Sequence, residues 1–522
     1  LLLANPPIRA MQRVSIPPLH EPRRSFPNLI ADFTEEENEP AVAEERATKR
    51  ARASFIIRHF GSVVFRMRLL LEFVPVNIVH FAPRHRIIPS RPMPVATCSS
   101  GGAALSLPYM NRCLSFLVLA GLGCFTFSIR ADSWPEFRGP MANGHAPGAQ
   151  VPLFWSATKN IRWKVKVEGK AWSSPVVEGD RAYITTAVVE GELLKLEAHA
   201  YQLADGKEIW KQIVFEKPAG PIHQKNSHAS PTPLIADGRL YVHFGHDGTA
   251  ALEAADGKVI WTQTGLPYSP VHGNGGSPAL HGDRLIFASD GEKEPFVAAL
   301  NKESGAVLWK TPRNVEVSRR FSFSTPLMVQ VKGADQAIIP GSGAVVSYDP
   351  ANGQEIWRFR YADGYSVVPR PLFHDGKIYV CSGFNRAVLF AIKADGEGDV
   401  TDTHLVWKDD KAVPKESSPI IVDDLIYLND DKGVLSCFVA ATGEELYRER
   451  LEGQGGYSAS PVYAAGHLFF HNGSGITTVV KPGRTFTRVA ENSLSEAGLS
   501  SFAVVSDGFI VRTEGHLVRI GE

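Results

Sequence analysis

Six polar stretches hold most of the side chains with which this chain could grip a ligand. EKPAGPIHQKNSHASP (216–231) places His223, Lys225, Asn226 and His228 close together, and GLPYSPVHGNGGSP (265–278) adds His272 and Asn274. VEVSRRFSFSTP (315–326) brings Arg319 and Arg320, and YADGYSVVPRP (361–371) brings Tyr365 and Arg370. DDKAVPKESSP (409–419) supplies Lys415 and Glu416, and GQGGYSASP (453–461) supplies Tyr457. Arg and Lys make charge-assisted hydrogen bonds to carboxylates and other anions. The set therefore points to a pocket for an anionic or carbonyl-bearing ligand. The competing reading is that these groups only hydrogen-bond neighbouring strand ends. His223, His228 and His272 have the chemistry of metal ligands, but no spacing singles them out. No nucleophile motif, phosphate loop or paired carboxylate stands out.

Each of these stretches ends at a recurring signal that says which elements must position it. Ser/Thr-Pro, or a relative of it, precedes an apolar run, a tight turn and a second apolar run. Examples are SPVVEGDRAY (174–183), TPLIADGRLY (232–241), SPALHGDRLI (277–286), RPLFHDGKIY (370–379), SPIIVDDLIY (418–427), SPVYAAGHLF (460–469) and SFAVVSDGFI (501–510). TPLMVQVKGADQAII (325–339) is a copy with a longer turn. Counted from their second position, the eight anchors fall at 175, 233, 278, 326, 371, 419, 461 and 502. The steps, 41 to 58 residues, lie near the ~40–50-residue period of propeller blades.

A second signal recurs between the anchors: DGKEIW (205–210), DGKVIW (256–261), SGAVLW (304–309), NGQEIW (352–357) and a weaker TGEELY (442–447). Polar-Gly pairs mark tight turns, because Gly adopts φ > 0 at no steric cost. The apolar-Trp pair opens a strand. Each unit thus reads as four strands, a to d, and the fold as an all-β, eight-bladed propeller of four-stranded antiparallel blades. Trp163, Trp210, Trp261, Trp309, Trp357 and Trp407 are expected to wedge between neighbouring blades, each burying roughly 150–250 Å². The last unit has three strands before Glu522, and NIRWKVKV (160–167) resembles a missing strand d. Pairing it beside His516–Ile520 would close the ring and hide the last open edge. In such a meander the short a–b and c–d turns share one end. The long, varied b–c and d–a connections share the other, where function belongs.

These residues resemble the pyrroloquinoline-quinone-type propeller repeat, carried by quinoprotein alcohol dehydrogenases and by the lipoprotein propeller of the outer-membrane assembly machinery. WPEFRGP (134–140) is similar to openings of secreted bacterial members. The resemblance covers residues 132–522 and speaks for fold more than for function. It implies two activities: a non-catalytic binding or scaffolding module, or a quinone- or metal-dependent oxidoreductase. For the oxidoreductase it implies pyrroloquinoline quinone with calcium, a catalytic Asp and a disulfide of adjacent cysteines. The chain has no adjacent cysteine pair. The polar connections offer Glu416 but no acidic cluster that could supply the 6–8 oxygens calcium needs. Asp395, Glu397 and Asp399 alternate like ligands but lack the placed Gly of a calcium loop; they read as a solvated turn. The binding-module reading is favoured, with an envelope protein or a small anionic or carbohydrate ligand as partner and a monomeric chain.

Composition bounds the rest. The 522 residues carry 55 basic and 55 acidic side chains. Residues 1–131 hold 16 basic and 9 acidic ones, which leaves 39 and 46 for the repeats, a net of −7. Such a body lacks the basic stripe that nucleic-acid binding needs. Residues 1–109 share none of the repeat grammar and read as a leader. Met110–Ala131, with Arg112 ahead of a short apolar run, has the layout of a secretory signal peptide, which places the protein in the periplasm or outside the cell; a lipid anchor at Cys124 is the alternative fate. Of five cysteines only Cys381 and Cys437 lie in the repeats, and they read as buried free thiols.

Overall fold

The computed structural model describes residues 133–522 apart from 363 and 452. The leader and signal segment, with Cys124, lie outside the described residues. No helix among the described residues is long and apolar enough to cross a membrane.

Eight four-stranded antiparallel sheets follow one another, each built in chain order a-b-c-d. Blade 2 shows the plan: strand a at Leu234–Ala236, b at Arg239–His243, c at Thr249–Glu253 and d at Val259–Gln263. The one exception closes the ring. The last blade takes its outer strand from Ile161–Lys166, which pairs antiparallel with His516–Gly521, Trp163 opposite Arg519 and Lys164 opposite Val518. Strand a of the last blade also meets that of the first. Cys381 and Cys437 are buried free thiols.

The repeated hexapeptide carries more than a turn. In every blade the c–d ladder slips just before the Trp position, and in blade 1 it slips at a second point as well. In blade 2, Leu252 faces Val259 and Ala251 faces Trp261, so Ile260 is an extra residue in strand d. The same bulge leaves out Ile209, Leu308, Ile356 and Val406 in their blades. A bulge re-aims the next side chain. The first member of each apolar-Trp pair is thereby turned outward, with Leu308 43% exposed, while Trp309 beside it is buried.

Five of the six repeat Trp, all but Trp357, lie on the turn glycine of the following blade. A Cβ on Gly257 would stand 2.6 Å from the Trp210 ring, one on Gly206 2.7 Å from Trp163, and one on Gly443 2.6 Å from Trp407. The glycine is needed twice: for its φ of +78° at Gly257 and for its bare Cα. Each indole N–H donates to a carbonyl of that next turn, Trp163 to Leu203, Trp210 to Ala254, Trp261 to Lys302, Trp309 to Pro350 and Trp407 to Ala440. Trp357 donates to Ala394 and Gln336 instead. There the turn is replaced by a longer insertion, in which Gly398–Asp399 pairs parallel along the outer strand of blade 4. Asp399 holds Arg360 and Thr401. The alternating acids of that insertion thus include a strand-edge clasp.

Candidate binding site

The Ser/Thr of the Ser/Thr-Pro anchors forms a belt around the channel. The backbone N–H of Ser174 donates to the Thr232 hydroxyl, Thr232 to Ser277, and Ser277 to Thr325. On the other side Arg370 donates to Ser418, Ser418 to Ser460 and Ser460 to Ser501. Each hydroxyl satisfies a buried N–H of the blade before it, which would otherwise cost desolvation energy. The next blade after Thr325 offers Arg370, which has no hydroxyl, so the belt changes chemistry there.

The WPEFRGP stretch fills that gap from below. Ser133–Trp134 pairs with strand a of blade 1 at its turn end, and His145–Ala146 pairs with strand a of blade 7. The chain between them loops up into the channel. Pro135 accepts from Ile235 of blade 2. Arg370 gives Nε and Nη2 to the Pro326 carbonyl and Nη1 to that of Phe137 at 2.6 Å. Arg138 gives Nη2 to Pro419 and Asn143. Residues 133–146 therefore plug the channel from the turn end. Burial pushes the Glu136 carboxyl up, against the pull of Arg370 at 3.4 Å. Burial, with Arg370 beside it, pulls the Arg138 guanidinium down.

The loop end is built from different groups. His223 and His272 meet edge to face at 4.9 Å, and His272 meets Phe321 at 4.9 Å. Phe321 packs on Tyr365 at 5.6 Å, and Arg319 lies over the Tyr365 ring and donates to its hydroxyl at 2.6 Å. Tyr365 approaches Phe384, which has Lys415 above its ring. An arc of aromatic and cationic side chains thus runs along blades 2 to 5. Lys225 ends on Glu416 at 2.6 Å, and the other Glu416 oxygen accepts from Ser458 at 2.5 Å. Lys415 faces Asp431, whose carboxyl burial pushes up. Arg319 and Arg320 are exposed, and among the described residues neither has a carboxylate partner. Beside them a groove of about 760 Å³ runs outward between Val315–Arg319 and Arg360–Tyr365, with Asn385 and Thr401 at its far wall.

The six polar stretches are thus not equivalent. His223, Lys225, His272, Arg319, Arg320, Lys415 and Glu416 reach the loop end. Asn226 and Asn274 tie loops together: the Asn226 amide donates to the carbonyls of His272 and Asn274, and Asn274 donates to Phe244 and accepts from Tyr268. His228 is buried, which pulls its pKa down. Tyr457 is buried at 1% exposure beneath Gly433, and burial raises its pKa. Arg370 sits in the channel below, with its donors spent on the Pro326 carbonyl and the plug. Sequence reasoning passed over Trp172, Phe321 and Phe384. Trp172 donates to the Lys225 carbonyl at 2.9 Å; its signal was an aromatic two residues before the anchor hydroxyl residue, as at Phe323 before Thr325.

A calcium–quinone pair does not fit this donor set. Among the described residues no three His, Cys, Asp or Glu side chains converge as metal ligands. The carboxylates nearest the axis, Glu416 and Glu136, are engaged by Lys225, Ser458 and Arg370.

The family model described as outer membrane protein assembly factor BamB matches residues 195–447. The chain is 29% identical over 196 residues to the quinoprotein ethanol dehydrogenase of Pseudomonas aeruginosa, 34% of this chain and 31% of that protein. It is 23% identical over 289 residues to the assembly factor BamB of Yersinia pestis, 54% of this chain and 66% of that one. The chain thus spans about a third of the dehydrogenase's length and somewhat under two thirds of the assembly factor's. Among solved structures, a europium-containing methanol dehydrogenase superposes with a TM-score of 0.54 at 10% identity, over 74% of this chain and 91% of that one. The quinohemoprotein alcohol dehydrogenase of Comamonas testosteroni gives 0.52 at 12% identity, over 75% and 80%. At such identities the superpositions speak to fold alone. With five Trp-on-Gly seats in a ring of eight blades, a shared repeat register and these sequence matches, the chain is similar to the PQQ-like repeat β-propellers.

Proposed function

We propose that this propeller is a non-catalytic binding module of the cell envelope, and that its loop end grips an acidic segment of an envelope protein. The observation that carries this reading is the placement of Arg319 and Arg320. They stand exposed, without carboxylate partners among the described residues, beside Phe321, Tyr365 and the 760 Å³ groove. Aromatic and Arg side chains are enriched where binding energy concentrates. The plugged channel leaves the rim, rather than the axis, as the accessible surface. Similarity to the assembly factor supports an envelope setting. Pull-down from an envelope fraction tests it. Arg319→Glu with Arg320→Glu should weaken capture at least tenfold, since truncating a hot-spot charge costs about 2 kcal/mol or more. Equal capture by wild type and variant would end the reading.

The alternative is a quinone-dependent oxidoreductase, favoured by the 196-residue similarity to an ethanol dehydrogenase. Adding pyrroloquinoline quinone with Ca²⁺ and following absorbance and dye reduction separates the two. Binding with turnover of an alcohol would replace the first reading by the second.

A further inference from the structure

The connection that begins at Ala219, after the outer strand of blade 1 (Glu208–Pro218), does not stay at its own blade. Its anchors run over several neighbours. The Lys170 ammonium donates to the Gln224 carbonyl at 2.9 Å, and Trp172 donates to that of Lys225. Asn226 donates to His272 and Asn274 on the other side. The tip, Lys225, ends on Glu416, which lies just ahead of the anchor of blade 6. In a ring of eight, the connection between blades 1 and 2 stands opposite that between blades 5 and 6. A 2.6 Å ion pair between them therefore crosses the mouth of the channel. At the other end the channel is stopped by residues 133–146. We call the length of channel between these two stops the axial chamber. Its floor is the plug tip, where Pro135, Glu136 and Phe137 keep part of their surface accessible, unlike buried Trp134 and Arg138 on either side.

We propose that residues 219–228 are a lid over this chamber, latched by the Lys225–Glu416 ion pair and opened when a carboxylate of a ligand takes the place of Glu416 on Lys225. This deepens the binding reading above, on which its ligand class rests. Glu416 is a built-in stand-in for that ligand: it presents one oxygen to an ammonium and the other to the Ser458 hydroxyl. Lys225 is about half exposed and Glu416 largely covered, so the latch is worth a surface ion pair rather than a buried one, and it can be displaced.

A thiol at the floor reports the lid without any ligand. Phe137→Cys in the full chain, with Cys98→Ser, Cys113→Ser and Cys124→Ser, gives that thiol, and the native Cys381 and Cys437 are buried. With a small thiol reagent, Lys225→Ala or Glu416→Gln should speed labelling about two- to fivefold, the equivalent of an exposed ion pair of up to about 1 kcal/mol. The exchanged pair Lys225→Glu with Glu416→Lys should return the rate toward that of the closed lid. Raising salt should speed labelling in the parent and not in Lys225→Ala. Pro135→Cys repeats the measurement from the neighbouring floor position should Phe137→Cys fail to fold. Adding a poly-glutamate peptide should speed labelling in the parent only. Equal labelling rates with and without the latch would overturn the lid. A latch-dependent rate that ignores poly-glutamate would overturn the carboxylate trigger and leave the lid. Capture of an envelope partner through Arg319 and Arg320 is read separately, so the two ideas fail by different results.

Discussion

Inside the channel, where the plug rises from the turn end, Arg138 and Arg370 are buried and hand their donors to fixed carbonyls of Pro326, Phe137, Asn143 and Pro419. At the loop end, Arg319 and Arg320 stand in solvent and Lys225 holds its carboxylate at a half-exposed contact. The same residue types do different work because their surroundings differ. A buried cation fixes one geometry, since moving it strands both the charge and the carbonyls around it. An exposed cation costs little to release, so it is available for exchange. Residue type alone therefore does not separate a tie from a grip; depth along the channel does.

The sharpest way to break the comparison is Arg370→Ala. If the plug is fixed in the channel by its buried guanidiniums, this change should cost about 3–5 kcal/mol of stability by denaturant unfolding, the usual loss on removing one partner of a buried pair. A cost below about 1 kcal/mol would make the plug an ornament.

Acid should act next most strongly. His243 and His471 close strand b in blades 2 and 7, each bonded to a strand-c threonine and packed on a phenylalanine of the next blade. Burial pushes His243 down to about 3 and His471 down to about 4. Unfolded imidazole titrates near 6.5, so these groups stabilise the fold fully above about pH 6.5. That stability is lost as pH falls toward 4, by on the order of 3 kcal/mol per histidine. Burial raises the Asp290 carboxyl beside Arg313, and that group acts with the opposite sign. His471→Gln should flatten the decline in unfolding midpoint between pH 6.5 and 4; an unchanged slope would show that the histidines are not its source.

Two glycines at the turn end separate backbone strain from the Trp seat. Gly238 has φ +73° and open space around its missing Cβ, whereas Gly257 has φ +78° and the Trp210 ring at 2.6 Å. Gly238→Ala should cost about 1–2 kcal/mol for the left-handed backbone alone. Gly257→Ala should cost about 1–3 kcal/mol more, from forcing the ring out of place. Equal costs would remove the wedge from the account of the hexapeptide.

Smallest of all is the effect of Lys225→Ala on stability, within about 1 kcal/mol. A larger loss would move Lys225 to the side of Arg370 and make the loop end as rigid as the turn end.

The turn end was the legible one. The anchors near 175 to 502 and the repeated Gly-x-x-x-Trp spacing fixed blade number, strand order and the closing pair of Trp163 with the C-terminal hairpin. Periodic features are short-range, so the sequence displays them directly. Why Ile209, Leu308 and Val406 precede each Trp was not legible, because a bulge shows only once the facing strand is in place. The role of WPEFRGP was also hidden. It carries no periodicity, and its partners, Pro326, Arg370 and Pro419, are brought to it by the ring. At the loop end, sequence located the connections but not their depth. It could not distinguish Arg319 from Arg370, or exposed His223 from buried His228, since both members of each pair occupy the same kind of stretch.

The path of residues 133–166 has a consequence for how the molecule is made. These residues are synthesised before any blade, yet their partners lie in blades 1, 2 and 5 to 8, ending with the strand at His516–Gly521. Contacts of such long sequence separation form slowly, and domains assemble as the chain emerges. Residues 133–166 must therefore wait, largely unpaired, until the final hairpin has left the ribosome. Plugging and sealing are then one terminal event, and a chain that stalls before its last blade would leave both undone.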